Sequence, residues 1–325
     1  MIPAITIGIP VKNEESTIIA TLHAINQATR ELDPKIKIET IVCLNGTTDN
    51  TKKVIQAKDN IKLCKELNLS IIKSKPGKLI AEQKIGTNRK LNGYLLFCDA
   101  DIIIDKKAIK ELYTRMQKNK KLRVVCAKVL PIFNKKINNF LRIMKDYYDM
   151  RYLLPNRGCF HGRLFMLRDT KDLLKKYNIK AHLKGIPTQT IKDLYLDKGP
   201  ICDDIILSAA IVHDHGQQAI ERVFSSKVYF YPPDNPYDFF LGIRRYTIEI
   251  ERINTLFPEY AKINTSDRFL RPTRIEKFTF FRRKKHHAEL LMELENFLGN
   301  IVRGYEISKQ KLALWETVKS SKPKK

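Results

Sequence analysis

The first 130 residues alternate between short apolar runs and stretches with helical spacing. Residues 4–11, 38–44, 69–73, 94–98 and 124–130 read as strands. Between them, Ile18, Leu22, Ile25 and Leu32 recur on one helix face, as do Ile109, Leu112 and Met116. Shorter helical stretches run through Val54 and Ala57 and through Ile80 and Ile85. Such alternation predicts an α/β fold: a doubly wound, mostly parallel sheet with helices on both faces.

Ligands of such sheets bind beyond the carboxyl ends of the strands. Here those ends read Pro10-Val11-Lys12-Asn13-Glu14, Leu44-Asn45-Gly46, Lys73-Ser74-Lys75-Pro76-Gly77-Lys78 and Asp99-Ala100-Asp101. In an extended chain Asp99 and Asp101 would point the same way. Two such carboxylates suit Mg²⁺ or Mn²⁺ bridging to phosphate. Lysines on the same edge suit a diphosphate. An isolated Asp-x-Asp is more often a cap for the next helix; the other strand ends shift the balance towards a site.

The 325 residues carry 60 Lys and Arg against 35 Asp and Glu, a net charge of +25. Nucleic acid, an anionic membrane surface and phosphorylated substrates are the candidate partners, with a merely solvated basic surface as the alternative. The six cysteines form no Cys-x-x-Cys pair, and Cys43, Cys98 and Cys126 lie in apolar runs. They read as buried hydrophobes in a reducing compartment rather than as disulfides or zinc ligands. No apolar run approaches the ~20 residues of a membrane span. The expected location is therefore cytoplasmic, with any membrane contact peripheral at an inner face.

Taken in order, three motifs resemble the family-2 glycosyltransferases, which have the GT-A nucleotide-sugar-binding fold. They are Ile9-Pro10-Val11-Lys12-Asn13-Glu14-Glu15, Asn45-Gly46-Thr47-Thr48-Asp49-Asn50-Thr51 and Asp99-Ala100-Asp101; the likeness extends more loosely to about Pro233. The resemblance implies that the first two loops hold the nucleoside, through Pro10, Val11, Lys12, Glu14 and Asn45. It implies that Asp99, Ala100 and Asp101 handle ribose and diphosphate, with Asp101 and Asp99 as metal ligands and Lys78 beside them. One departure stands out. The family's acid pair before the glycine turn is replaced by Leu44 and Asn45. An amide both donates and accepts hydrogen bonds, so Asn45 still suits a uracil edge. A UDP-sugar is favoured, with other nucleotides open.

Further on, 156–168 is similar to the family's glycine-rich segment under the donor sugar, which puts Gly162 at the donor and makes His161 a lesser candidate for a diphosphate contact. Cys202-Asp203-Asp204 resembles the family's Glu-Asp motif. This implies that Asp204 is the general base and that Asp203 orients it or binds acceptor; helix capping alone would also favour acids there. His213 and His215, near the expected helix end before Gly216, are additional metal-ligand candidates, though the dipole suffices to explain them. Arg245-Tyr246 is similar to the end of a Gln-x-x-Arg-Trp motif whose Gln is missing here, so processive polymerisation is not supported. Residues 180–199 read as a loop or lid.

The expected domains are 1–234, a GT-A glycosyltransferase domain, and 235–325, a basic, mainly helical extension with a disordered tail over 319–325. Two helical faces are expected in the extension, one through Phe239, Ile243, Tyr246, Ile250 and Ile253 and one through Leu290, Leu294, Phe297, Ile301 and Tyr305. Arginines, lysines and phenylalanines interleave over 268–285. That suits an anionic membrane or a solvated loop, and nucleic acid less. The expected activity is that of a metal-dependent, inverting, hexosyltransferase-type enzyme acting on a glycan or lipid acceptor. Two alternatives remain: a sugar-nucleotide nucleotidyltransferase, for which Lys12-Asn13-Glu14-Glu15 lacks the usual glycine-rich loop, and a non-catalytic basic binding protein.

Overall fold

The computed structural model describes residues 4–133, 138–151, 159–168, 179–264 and 282–307. The basic segment over 268–281, the tail over 319–325 and residues 156–158 lie outside them. The described residues fall into two compact units that interleave along the chain. One lies within Met1–Val129, Gly158–Tyr177 and Ile201–Tyr229, the other within Leu130–Arg157, Asn178–Pro200 and Phe230–Lys325.

The first unit is built on an eight-stranded sheet. Its strands are β1 (Ala4–Val11), β2 (Lys37–Asn45), β3 (Leu69–Ser74), β4 (Tyr94–Cys98), β5 (Ile103–Ile104), β6 (Val124–Pro131), β7 (Leu164–Leu167) and β8 (Ile220–Phe230). Their order is β3-β2-β1-β4-β7-β6-β8-β5. The first four in that order are mutually parallel, with Ala4 opposite Lys37 and Ile5 opposite Tyr94. β7 then runs antiparallel to both β4 and β6. β1 is buried along its whole length, as a central strand covered on both faces should be.

The crossovers carry α1 (Ile18–Thr29), α2 (Thr51–Ile55), α3 (Ile61–Glu66), α4 (Lys78–Asn88) and α5 (Ala108–Lys118). α1 buries Ile18, Leu22 and Ile25, and α5 buries Ile109, Leu112 and Met116, the faces that the spacing predicts. Gly77 precedes α4 with φ +135°, a conformation open to glycine. Gly93 enters β4 so close to β1 that an added Cβ would lie 2.1 Å from the Ala4 carbonyl oxygen.

Asp99 and Asp101 depart from expectation. β4 ends at Cys98 and the acids occupy a turn, so strand alternation does not set their directions. Thr21 of α1 pins that turn from behind, donating its hydroxyl to the carbonyls of Ala100 (2.9 Å) and Ile102 (3.2 Å).

The second unit is helical. It holds α6 (Asn139–Arg151), α7 (Ile179–His182), α8 (Thr188–Asp193), α10 (Pro236–Leu256), α11 (Pro258–Asn264) and α12 (Arg282–Ile301); α9 (Asp203–His215) belongs to the first unit. Met144, Tyr147, Phe239, Ile243 and Leu291 form its core. Residues 180–199 are not a bare loop. They carry α7 and α8, and the buried Arg252 donates to the Leu194 carbonyl at 2.7 Å.

The face of α10 is buried as expected at Phe239, Ile243, Ile250 and Ile253. On α12 the expected apolar face points outward: Leu290, Leu294, Phe297 and Ile301 are exposed, Phe297 by 62%. The helix is turned so that Leu291 enters the core, Glu295 accepts from the Tyr147 hydroxyl (2.7 Å) and His287 meets Asp146 (2.7 Å). No helix among the described residues is long and apolar enough to cross a membrane.

The Gly93 contact is against backbone, which cannot rotate away. Gly93→Ala should lower stability by about 1–3 kcal/mol, read as a lower melting midpoint; an unchanged midpoint would mean that β1 and β4 part there without penalty.

Candidate functional site

Lys78 opens α4, and its ammonium is the centre of a cluster drawn from four places in the chain. It lies 2.8 Å from Asp99 Oδ1 at the end of β4 and 3.0 Å from Asp203 Oδ1 at the start of α9. It also donates to the Gly162 carbonyl, in the loop before β7, at 3.2 Å. Burial by itself would lower the Lys78 pKa. Asp203, Asp99 and Glu82 outweigh it and hold the ammonium well above its ordinary value.

The acid pair of α9 divides into two environments. Asp203 is 3% exposed, and its second oxygen, Oδ2, is buried without a hydrogen-bond donor. Asp204 is half-buried. Its carboxylate accepts from the Gly162 N–H at 3.2 Å and from the Ile205 N–H at 3.0 Å. Burial, then the Asp203 charge, push the Asp204 carboxyl up to about 6, against the pull of Lys78 and the Gly162 N–H. Glycine at 162 permits this packing, since an added Cβ would lie 3.1 Å from Asp203 Oδ2 and 3.2 Å from Asp204 Cβ. The Asp99 N–H donates to the Arg163 carbonyl at 2.9 Å, which ties the β4 end to the same loop.

The loops after β1 and β2 are sewn together. Asn13, at φ +57°, accepts from the Thr48 N–H (2.8 Å) and the Asp49 N–H (3.3 Å) through Oδ1. Asp49 Oδ2 accepts from the Glu15 N–H, and Glu15 Oε2 from the Asn50 N–H. The Thr47 hydroxyl donates to the Val11 carbonyl at 2.9 Å. Pro10, Val11 and Asn45 are buried where their strands end, Lys12 is exposed, and the Glu14 carboxylate accepts from the Thr17 hydroxyl at 2.7 Å.

The structure thus brings together Lys78, Asp99, Gly162, Asp203 and Asp204. Ala100 and Asp101 follow Asp99 in the turn that Thr21 pins, and half-buried His161 precedes Gly162. His213 and His215 are exposed at the far end of α9, about 15 Å and about 18 Å along the helix from Asp203 at 1.5 Å per residue. Arg245 is on α10 of the second unit. Sequence reading missed Glu82. It is fully buried one helical turn after Lys78, and burial and then Asp203 hold its pKa well above the ordinary carboxylate range. An acid among Leu79, Ala81 and Ile85 on the buried side of α4 was the available signal.

Among the described residues no three His, Cys, Asp or Glu side chains are arranged to hold a metal ion. Asp99 and Asp101 supply hard oxygens for part of a coordination shell. Two carboxylates fill only part of the roughly six or more oxygen positions of a divalent cation.

Residues 6–174, just over half of the chain, match the family described as Glycosyl transferase family 2. The chain belongs to this family. Among solved structures it is similar to the mannosyltransferase PcManGT from Pyrobaculum calidifontis, at 14% identity and a TM-score of 0.54, covering 97% of this chain and 77% of that one. That enzyme was solved with GDP-Man and Mn²⁺. The chain is also similar to glucosyl-3-phosphoglycerate synthase from Mycobacterium tuberculosis, at 15% identity and a TM-score of 0.46, covering 79% and 80%. No curated protein sequence matches it. The family and the first likeness agree on a GT-A fold, the mixed sheet with its parallel half first.

Removing the central cation leaves its carboxylates facing one another. Lys78→Met should cost about 2–4 kcal/mol near neutral pH, less than a wholly buried pair because the side chain is 26% exposed. Part of the loss should return near pH 5, below the value of about 6 at which Asp204 takes up its proton. A melting midpoint equal to wild type at both pH values would contradict the cluster.

Proposed function

We propose that the chain is an inverting, metal-dependent glycosyltransferase that moves a sugar from a nucleoside-diphosphate sugar to an acceptor hydroxyl. One observation carries the reading: a lysine, a strand-end acid and an acid pair converge at one edge of the parallel sheet, with Asp204 anchored by Gly162.

In this reading Lys78 exchanges a carboxylate partner for a diphosphate oxygen when donor binds. Asp99 and Asp101 would hold Mn²⁺ or Mg²⁺, and the cation would supply charge stabilisation to the leaving group. Asp204 takes the proton of the acceptor hydroxyl as that oxygen bonds to the anomeric carbon. The bond from that carbon to the diphosphate oxygen breaks in the same displacement, which inverts the centre. The near-complete burial of Asp203 and its ion pair with Lys78 support an orienting role for it over contact with acceptor. The loops after β1 and β2 hold the nucleoside, with Asn45 at the base. A UDP-sugar is the first choice and a GDP-sugar the second, the latter because the mannosyltransferase of like fold binds GDP-Man. A lipid-linked or membrane glycan acceptor, reached from an inner membrane face, rests on the net charge of +25 and the basic segment over 268–285.

Asp204→Asn should lower kcat by about 10²–10⁴-fold, and Asp101→Asn should abolish the Mn²⁺-dependent thermal shift with UDP or GDP. Full activity in both variants would sink the assignment. Because a base must be unprotonated, kcat/KM should fall tenfold per pH unit below about 6, where Asp204 protonates. A profile flat down to pH 5 would place the base elsewhere.

A further inference from the structure

Glu82 has no part in the proposed transfer, yet it sits beneath the site. It is 0% exposed, and neither of its carboxylate oxygens has a hydrogen-bond donor. Asp203 Oδ2 is the other carboxylate oxygen of this cluster buried without a donor. The electrostatics of Glu82 are dominated, after burial, by Asp203, which lies within hydrogen-bonding reach. Unmet acceptors of two interacting acids therefore lie in one buried cluster in the protein interior. Unmet acceptors in such a place are unfavourable.

A proton shared between the two acids satisfies both at once, since a neutral carboxyl donates where a carboxylate only accepts. The charge balance points the same way. Lys78 interacts with three acids, Asp203, Asp99 and Glu82, and close like charges cannot all ionise.

We propose that Glu82 is a positioning residue of the transfer site: it donates a hydrogen bond to the inner oxygen of Asp203, so that the outer oxygen of Asp203 is held on the Lys78 ammonium. The proposal rests on the transfer reading above. Its chain of contacts runs from Glu82 to Asp203, from Asp203 Oδ1 to Lys78 at 3.0 Å, and from Lys78 to Asp99 at 2.8 Å. Without the Glu82 proton, Asp203 is free to turn its unmet oxygen outward and draw Lys78 away from the diphosphate position. The raised pKa of Glu82 agrees with the donor role. Packing alone does not call for an acid here, because its neighbours on the buried side of α4 are Leu79, Ala81 and Ile85.

The test compares wild type, Glu82→Gln and Glu82→Leu as full chains. Each is measured for kcat and donor KM with the nucleotide-sugar that turns over, and for thermal shift with UDP or GDP plus Mn²⁺. Gln keeps an N–H donor for Asp203 and should stay close to wild type. Leu fills the space without a donor. Its kcat should fall about 10–100-fold, in the range for residues that hold a contacting group in place, and its nucleotide shift should shrink. Its melting midpoint without nucleotide should equal or exceed that of wild type, since an apolar side chain replaces a buried acid. A merely structural Glu82 would move the midpoint and leave kcat alone. Wild-type kcat and nucleotide shift in Glu82→Leu overturn the proposal, as does equal loss in the Gln and Leu variants. Should the branched side chain fail to fold, Glu82→Met carries the same comparison. Wild type that neither shifts nor turns over any donor overturns the functional reading itself, and the Glu82 role with it.

Discussion

An ammonium group among carboxylates organises this protein's site. Lys78 stands at the first turn of α4, where a helix favours negative charge rather than positive. It is held there by Asp99 and Asp203, which come from a strand end and from another helix start. That single cation fixes the relative positions of β4, α4, α9 and the loop carrying Gly162. A charge so placed is also exchangeable. A lysine carries three donors on a flexible stem, so in the proposed transfer it would release a carboxylate for a phosphate without rearrangement of the backbone.

Around that cation the backbone is braced by hydrogen bonds within the chain. Thr21 holds the Asp99–Asp101 turn from the α1 side. Asn13, Glu15, Asp49 and Thr47 lock the first two loops into one surface. Gly162 serves twice, with its carbonyl on Lys78 and its N–H on Asp204. Groups held this way meet a substrate with little reorganisation, which is where most electrostatic catalysis originates. The same enclosure raises the Asp204 pKa, the direction that the proposed general base requires near neutrality.

The second unit follows different rules. Its core is aromatic and aliphatic, with Tyr147 and Phe239 packed edge to face at 6.5 Å. α12 is seated on α6 by polar contacts as much as by apolar ones. Those contacts set its rotation and leave an apolar stripe at Leu290, Leu294, Phe297 and Ile301 outside.

Hydrophobic periodicity is a local property, and it determined the order and type of the main elements over the first 130 residues. The strand ends, and with them the edge that carries Lys78 and Asp99, were legible for the same reason, whereas Asp204 was reached through its likeness to a family motif. Residue spacing could not say which partners a side chain finds across the fold. Packing alone decided that Lys78 pairs with Asp99 and Asp203 and that the two acids of Asp99-Ala100-Asp101 lie in a turn. Glu82 could be read from the chain as an acid on an apolar face, but its proximity to Asp203 exists only once α4 and α9 have folded together. On α12 the sequence showed a stripe without its direction. Periodicity marks a face, whereas the side turned inward is chosen by what waits there, and here Tyr147 and Asp146 were waiting for Glu295 and His287.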